Sequence, residues 1–135
     1  MDKQEIAKIW RKRLQGALED LSSLKFQKKA WVDRTDPNLW WEWREVVCGY
    51  FDDLLLVERG DREGINYHVN QKRLTSQEAD ILRHFNETFS TYADKTDQPN
   101  DNSGYEKILA DPEWIKITQM AKEVLEKIDF DKLPE

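Results

Sequence analysis

Apolar residues recur at intervals of three and four along most of the chain, which is the spacing of one face of an α-helix. In residues 2–27 this face comprises Ile6, Trp10, Leu14, Ala17, Leu18, Leu21 and Leu24. In residues 75–93 it comprises Leu82, Phe85, Phe89 and Tyr92. In residues 111–128 it comprises Trp114, Ile117, Ala121, Val124, Leu125 and Ile128. The pattern therefore predicts three long amphipathic helices in these ranges.

Local start signals support helices at the same places. Thr75 and Glu78 have the spacing of a capping box, in which each side chain accepts from the backbone of the other. Asp36 and Asp111 each precede a proline, so a capping carboxylate is followed by a residue that has no amide to leave unpaired. Residues 105–110 fit one further short helical turn.

The stretch that follows Asp36 has the widest apolar arc, covering about 220° of a helical wheel. It comprises Trp40, Trp41, Trp43, Val46, Val47, Cys48, Tyr50, Phe51, Leu54, Leu55 and Val57. A helix that is apolar over so much of its circumference is buried on more than one side. We therefore predict a central, aromatic-rich helix over residues 37–59, which ends before Gly60.

Two connections exceed the usual length of about 2–8 residues between neighbouring helices. Residues 60–74 include an alternating segment at 65–69, which fits a short extended segment, and residues 94–104 are polar and expected to be mobile. The prediction is an all-α fold: one compact domain, residues 1–135, of four long helices plus a short helical turn.

Composition narrows the class of protein. The chain has 135 residues, enough for about one domain, and its 6 Trp, 4 Tyr and 5 Phe exclude a disordered tail. It has no apolar run of about 18 residues and no secretory signal pattern, so we expect no membrane contact. A single cysteine, Cys48, excludes an internal disulfide framework and favours a reducing compartment. We expect a cytoplasmic protein.

The charge distribution argues against nucleic acid as a partner. The net charge is −6; residues 1–35 contain nine Lys or Arg against five Asp or Glu, and the remaining residues contain 12 against 22. The basic residues scatter around the first predicted helix, whereas phosphate binding requires one basic face and a field that does not oppose it. We therefore expect no nucleic-acid binding.

Candidate chemistry is sparse. Asp80, His84 and Glu87 share one helical face and could present three metal ligands, but a second set from a facing helix is missing. Cys48 lies at mid-helix on the edge of the apolar arc, where packing is the expected role rather than nucleophilic attack. Phosphate-binding glycine loops and serine-nucleophile motifs are absent from the sequence. We predict a non-enzymatic protein without metal or cofactor.

The most informative feature is a strip of one charge sign on the central helix. Its polar arc contains Glu42, Glu45, Asp52 and Asp53, with Gly49 and Leu56 between them and no Lys or Arg. Like charges at helical spacing repel, so exposed faces usually mix signs. An acidic strip with an apolar residue in its middle is typical of a surface for a basic partner.

Trp41 lies beside this strip, at the boundary between the predicted core and the surface, where a large amphipathic ring is typical of a binding hot spot. The predicted partner-binding residues are Trp41, Glu42, Glu45, Asp52, Asp53 and Leu56. Two alternatives stay open. The basic first helix can lie along the strip within the same chain, and the 60–74 connection can fold over Trp41.

Three segments in order resemble small, acidic, all-helical bacterial immunity proteins: GYFDDL at 49–54, the capped LTSQE at 74–78, and ADPEW at 110–114 before the last helix. Such proteins bind and neutralise a cognate toxin domain, often through an acidic surface. The resemblance covers residues 45–130, assigns no site residue, and implies a protein-binding module that neutralises a basic toxin or nuclease. The alternatives are a homo-oligomeric structural or regulatory protein, whose aromatic helix completes a core across subunits, and, less favoured, a metal-dependent helical enzyme.

Overall fold

The computed structural model describes residues 1–39 and 41–135, and in this part of the chain the regular secondary structure is entirely helical. The all-α prediction is confirmed. Trp40, which was predicted for the inner arc of the second helix, lies outside the described residues. The α-helices are α1 (Lys3–Leu21), α2 (Leu24–Lys28), α3 (Trp43–Phe51), α4 (Ile65–Asn70), α5 (Ser76–Asp94), α6 (Asn102–Ala110) and α7 (Pro112–Lys127).

Three of these helices match the predicted amphipathic stretches. In α5, the side chain of Thr75 accepts from the backbone of Glu78 and the reciprocal bond is also present. In α7, the carboxylate of Asp111 accepts from the Glu113 amide and Pro112 follows the cap. Helix α7 packs against both α1 and α5, and these are the two most extensive helix contacts of the described chain. The prediction of four long helices is wrong in number, since among the described helices only α1, α5 and α7 are long.

The first predicted helix is divided at Ser22. Helix α1 ends at Leu21, and the hydroxyl of Ser23 accepts from the Phe26 amide to begin α2. Helix α2 continues into a π-helical turn, Lys29–Asp33, which places Trp31 in the core with 1% of its surface exposed. A serine side chain can compete with the helical backbone for hydrogen bonds, and Ser23 does so here.

Most of the predicted apolar face of α1 is buried, but the inner side of the helix also includes two residues outside that prediction. Ala7 and Arg11 face the interior, and Ile6 is 37% exposed. The buried guanidinium of Arg11 donates to the backbone carbonyls of Asp129, Phe130 and Arg73, and it forms a bidentate ion pair with Glu78 at 2.8 and 2.9 Å. These bonds offset the free-energy cost of burying a charge. A pattern of apolar and polar positions alone predicts that the charged Arg11 lies at the surface.

The predicted second helix, residues 37–59, is much shorter in the structure. Pro37–Leu39 form a 3-10 turn, and α3 begins only at Trp43. The Trp43 amide donates to the hydroxyl of Tyr105 at 2.9 Å, and the Arg44 amide donates to the side-chain carbonyl of Gln98 at 2.8 Å. Unpaired first-turn amides are costly when buried, and here distant residues rather than a local cap satisfy two of them.

The carboxyl end of α3 also comes early, at Phe51. Leu54 and Leu56 are both buried, at 3% and 2% exposure, whereas a continuous helix would point them about 200° apart. The backbone instead leaves the helix through Leu55, which has a left-handed φ of +56°. The Leu56 amide donates to the carbonyl of Phe51 at 2.8 Å, which closes the helix end as in a Schellman motif.

The end of the helix leaves backbone carbonyls without a helical partner, and groups that are distant in sequence donate hydrogen bonds to them. The indole of Trp10 donates to the Leu54 carbonyl at 2.9 Å, and the imidazole of His68 donates to the Leu55 carbonyl at 2.9 Å. The rings of Trp10 and His68 stack with centroids 4.1 Å apart. Tertiary contacts therefore hold both ends of α3.

The connections differ from the prediction as well. The extended segment expected at residues 65–69 is wrong, because these residues form α4, in which Ile65 and His68 are both buried at a spacing of three. Helix α6 begins at Asn102, earlier than the turn predicted for 105–110, and the Asp101 side chain caps it. The amide group of Gln98 donates to the Tyr105 hydroxyl, which ties the 94–104 connection to the start of α3.

A cluster of aromatic rings fills the centre of the core. Trp43 is 3% exposed, as predicted, and it contacts rings from α5, α7 and the π-helical turn. Those rings are Trp31, Phe89, Tyr92 and Trp114, with centroids 5.1–6.3 Å from that of Trp43.

Candidate functional site

The four predicted acidic residues lie along the outer side of α3 and at its two ends. Glu42 immediately precedes the helix, Glu45 is in its first turn, and Asp52 and Asp53 follow its last turn. All four are exposed. We call this set, Glu42, Glu45, Asp52 and Asp53, the acidic ridge.

The two apolar residues of the predicted site behave differently. Leu56 does not belong to the surface, because the early end of α3 turns its side chain into the core. Trp41 is half-buried, as expected at a boundary position, and it packs edge-to-face on Phe26 with centroids 5.4 Å apart. The ring against Trp41 therefore comes from α2 and not from the 60–74 connection.

The structure gives the acidic ridge few internal counter-ions. Asp52 lies 3.6 Å from Arg59, an exposed residue that also pairs with Glu63 at 3.2 Å. Within the described ranges, no basic side chain lies within 4 Å of the carboxylates of Glu45 or Asp53. Among the residues that the structure describes, no Lys or Arg of α1 forms an ion pair with the acidic ridge, and the buried cation of α1, Arg11, pairs with Glu78.

A groove that sequence analysis missed runs between α1 and α3, beside the acidic ridge. Its volume is about 570 Å³. The lining includes two helical glycines, Gly16 from α1 and Gly49 from α3, and the aromatic rings of Phe26, Trp31 and Trp41. A signal existed in the sequence: both glycines lie inside predicted helices, where glycine is disfavoured relative to alanine.

The rim of the groove is predominantly acidic. Asp20, Glu45 and Asp53 line it, and Arg13 is the basic residue among the lining groups. Burial, and to a smaller extent the neighbouring Glu19 carboxylate, raises the pKa of Asp20. A cation placed at this rim would offset the cost of desolvating Asp20. The groove therefore combines an apolar interior with an acidic edge.

Cys48 lies on the groove side of α3 and is half-buried rather than a core residue. Partial burial, together with the Asp52 carboxylate, raises the pKa of its thiol. Because the thiolate is the reactive form, a raised pKa makes Cys48 a poor nucleophile at neutral pH.

The candidate metal ligands do not converge. Asp80, His84 and Glu87 are exposed on α5, and Asp80 forms an ion pair with Arg83 at 2.8 Å. In the described part of the chain, no group of three His, Cys, Asp or Glu side chains is arranged to hold a metal ion.

None of the helices in residues 1–39 and 41–135 combines the length and the hydropathy needed to cross a bilayer. Comparison with known protein families, curated proteins and solved structures finds no match to this chain.

Proposed function

We propose that this protein is a binding module for a basic protein partner and that the acidic ridge is its contact surface. The observation that carries the proposal is that Glu45 and Asp53 are exposed and have no basic side chain within 4 Å among the described residues. Carboxylates of one sign repel when they are crowded together, and a positively charged surface relieves this repulsion. A field of one sign also steers an oppositely charged partner and accelerates association.

The partner class that we favour is a basic toxin or nuclease, as the resemblance to immunity proteins implies. A nuclease holds its substrate through Lys and Arg contacts to phosphates. An acidic ridge can occupy the same basic surface, so binding alone would neutralise the enzyme. We also propose a cytoplasmic location, which is where such a partner would be met before it acts.

Binding is favoured over catalysis because the carboxylates of the acidic ridge are solvent-exposed. General acid–base chemistry relies on desolvation or close coupling to adjust proton affinity, and an exposed carboxylate has little of either. The thiol of Cys48 is disfavoured as a nucleophile by its raised pKa.

Homo-oligomerisation is less favoured as the main role. That alternative supposed that the aromatic helix completes a core across subunits. Two rings of that helix are already covered within one chain, since Trp43 is 3% exposed and Tyr50 is 1% exposed.

A capture experiment with two charge-reversed variants tests the proposal. The Glu45→Lys/Asp53→Lys variant changes the acidic ridge, and the Glu123→Lys/Glu126→Lys variant makes the same change in net charge at exposed positions of α7. We expect the wild-type chain and the α7 variant to retain the same protein of isoelectric point above about 9 from lysate of the source cells.

The acidic-ridge variant should lose that protein. If the captured protein is expressed alone, it should arrest growth, and co-expression of the wild-type chain should restore it. Retention by all three chains, or capture of acidic proteins only, would contradict the proposal.

A further inference from the structure

We propose that the groove between α1 and α3 receives one large apolar side chain of the partner, flanked in the partner's sequence by Lys or Arg. This inference rests on the proposed function and names the chemistry of the partner segment. The groove has room for such an anchor, because its volume of about 570 Å³ falls within the range of about 300–1,000 Å³ typical of ligand pockets.

The two glycines of the groove support an open site. Neither Gly16 nor Gly49 has a left-handed φ, so neither is required by backbone conformation. A Cβ at Gly16 would meet no atom within 4 Å, and a Cβ at Gly49 would meet only the Asp53 carboxylate at 3.9 Å, so close packing does not require glycine either. Since glycine is unfavourable inside helices, what these residues provide is empty space between α1 and α3.

The walls of this space are suited to an apolar anchor. Phe26 and Trp41 form an edge-to-face pair on one side, and Trp31 and Tyr50 contribute buried ring surface. Aromatic walls around a desolvated pocket are typical of the hot spots that receive a partner's aromatic or large aliphatic side chain.

The charge of the rim predicts which residues flank the anchor in the partner's sequence. Three carboxylates, those of Asp20, Glu45 and Asp53, line the groove against one guanidinium, that of Arg13. A Lys or Arg next to the anchor can therefore pair at the rim, whereas an acidic neighbour would be repelled. A basic segment with one large apolar residue is the occupant that satisfies both the interior and the rim.

Three capped tripeptides serve as probes: acetyl-Lys-Trp-Lys-amide, acetyl-Lys-Ala-Lys-amide and acetyl-Glu-Trp-Glu-amide. Their binding is followed by the backbone amide resonances of Gly16 and Gly49 and by the rate at which Cys48, the only cysteine, is alkylated. We expect Lys-Trp-Lys to shift both resonances, to slow alkylation, and to bind at least about tenfold more tightly than the other two. Equal binding of Lys-Trp-Lys and either of the other peptides would overturn the proposal.

A variant that fills the groove tests the location. Gly16→Leu places a side chain in the open space and improves helix propensity, so the fold should be retained. Gln15→Leu adds the same side chain at the neighbouring position, which does not line the groove. We expect Gly16→Leu to weaken Lys-Trp-Lys binding at least about tenfold and Gln15→Leu to leave it unchanged. Equal behaviour of the two variants, with circular dichroism unchanged, would overturn the assignment.

The same variants separate this inference from the proposed function. If the Glu45→Lys/Asp53→Lys variant loses the basic partner while Gly16→Leu retains it at wild-type affinity, the acidic ridge binds and the groove proposal is overturned. If Gly16→Leu also loses the partner, the groove proposal is supported. If Lys-Trp-Lys binds and Gly16→Leu blocks it, but no basic partner depends on the acidic ridge, the groove stands and the proposed function fails.

Discussion

Helices α5 and α3 are both capped at the start, yet the groups that cap them come from different places. The capping box of α5 joins Thr75 to Glu78, three residues apart. The first amides of α3 donate instead to Tyr105 and Gln98, which lie more than fifty positions later in the chain. The first residue of a helix can be predicted from sequence when residues next to it in the chain supply the cap. It cannot be predicted in this way when the cap comes from residues that only the folded core brings close.

The largest predicted effect concerns the core contact of α3. Trp43→Ala should lower the free energy of unfolding by about 3–5 kcal/mol, because a buried ring surrounded by four others would be removed. Urea unfolding followed by circular dichroism measures the change. Trp41→Ala, at a half-buried position, is the control and should cost less. A loss below about 1 kcal/mol for Trp43→Ala would show that α3 does not depend on this contact.

The second prediction concerns the other end of α3, which the neutral ring of His68 holds. Burial, with a smaller contribution of the same sign from Arg73, lowers the pKa of His68 to about 4 from 6.5. Between these values the unfolded chain binds a proton that the folded chain does not. The contribution of His68 to the free energy of unfolding is therefore fully present above pH 6.5. It is lost as the pH falls towards 4, and the total loss is about 3 kcal/mol.

Urea unfolding from pH 7 to pH 4 measures this loss. His68→Phe keeps an aromatic ring beside Trp10 but cannot titrate, so the difference between the two chains isolates the contribution of His68. An unchanged difference in unfolding free energy across this range would contradict the buried, neutral imidazole.

The third prediction compares the loss of the cap of α3 with the loss of the cap of α5. Tyr105→Phe leaves the Trp43 amide without an acceptor and should cost about 1–3 kcal/mol. Thr75→Ala removes the local cap of α5 and should cost about 1 kcal/mol. Amide hydrogen exchange should accelerate at Trp43 in the first variant and only in the first turn of α5 in the second. Unchanged exchange at Trp43 would show that the tertiary cap is not required.

The same contrast explains what the sequence could predict. Helices α5 and α7 can be predicted from apolar residues at helical spacing, a capping box and a proline. All of these signals lie within or next to the helix in the sequence. The end of α3 cannot be predicted in this way, because the turn that buries Leu54 and Leu56 is held by groups distant in sequence: Trp10 donates to the Leu54 carbonyl and His68 to the Leu55 carbonyl. The wrong helix end is the reason that the sequence pattern places Leu56 at the surface.

Helix α4 shows a different difficulty. Residues 65–69 alternate in polarity, but Ile65 and His68 also have the spacing of a helix, and a short segment cannot separate the two patterns. For the candidate site, exposure of the acidic residues follows from their charge alone. The groove does not, because it needs the relative position of α1 and α3, although Gly16 and Gly49 pointed to it.

The smallest predicted effect on stability is at the acidic ridge. Glu45→Lys/Asp53→Lys should change the free energy of unfolding by less than about 0.5 kcal/mol, because exposed side chains without ion pairs contribute little. Thermal unfolding of this variant and of Glu123→Lys/Glu126→Lys should give similar midpoints. A loss of several kcal/mol would make these carboxylates structural groups of the folded chain.

If the acidic ridge binds a basic partner, reversal of its charge should weaken the complex. The most direct measurement is the dissociation constant of the captured partner for the wild-type chain and for Glu45→Lys/Asp53→Lys, at about 0.05 M and about 0.5 M salt. We predict about 100-fold weaker binding by the variant at low salt, and a smaller difference at high salt because the charges are screened. Equal dissociation constants for the two chains at low salt would show that the acidic ridge is not the contact surface.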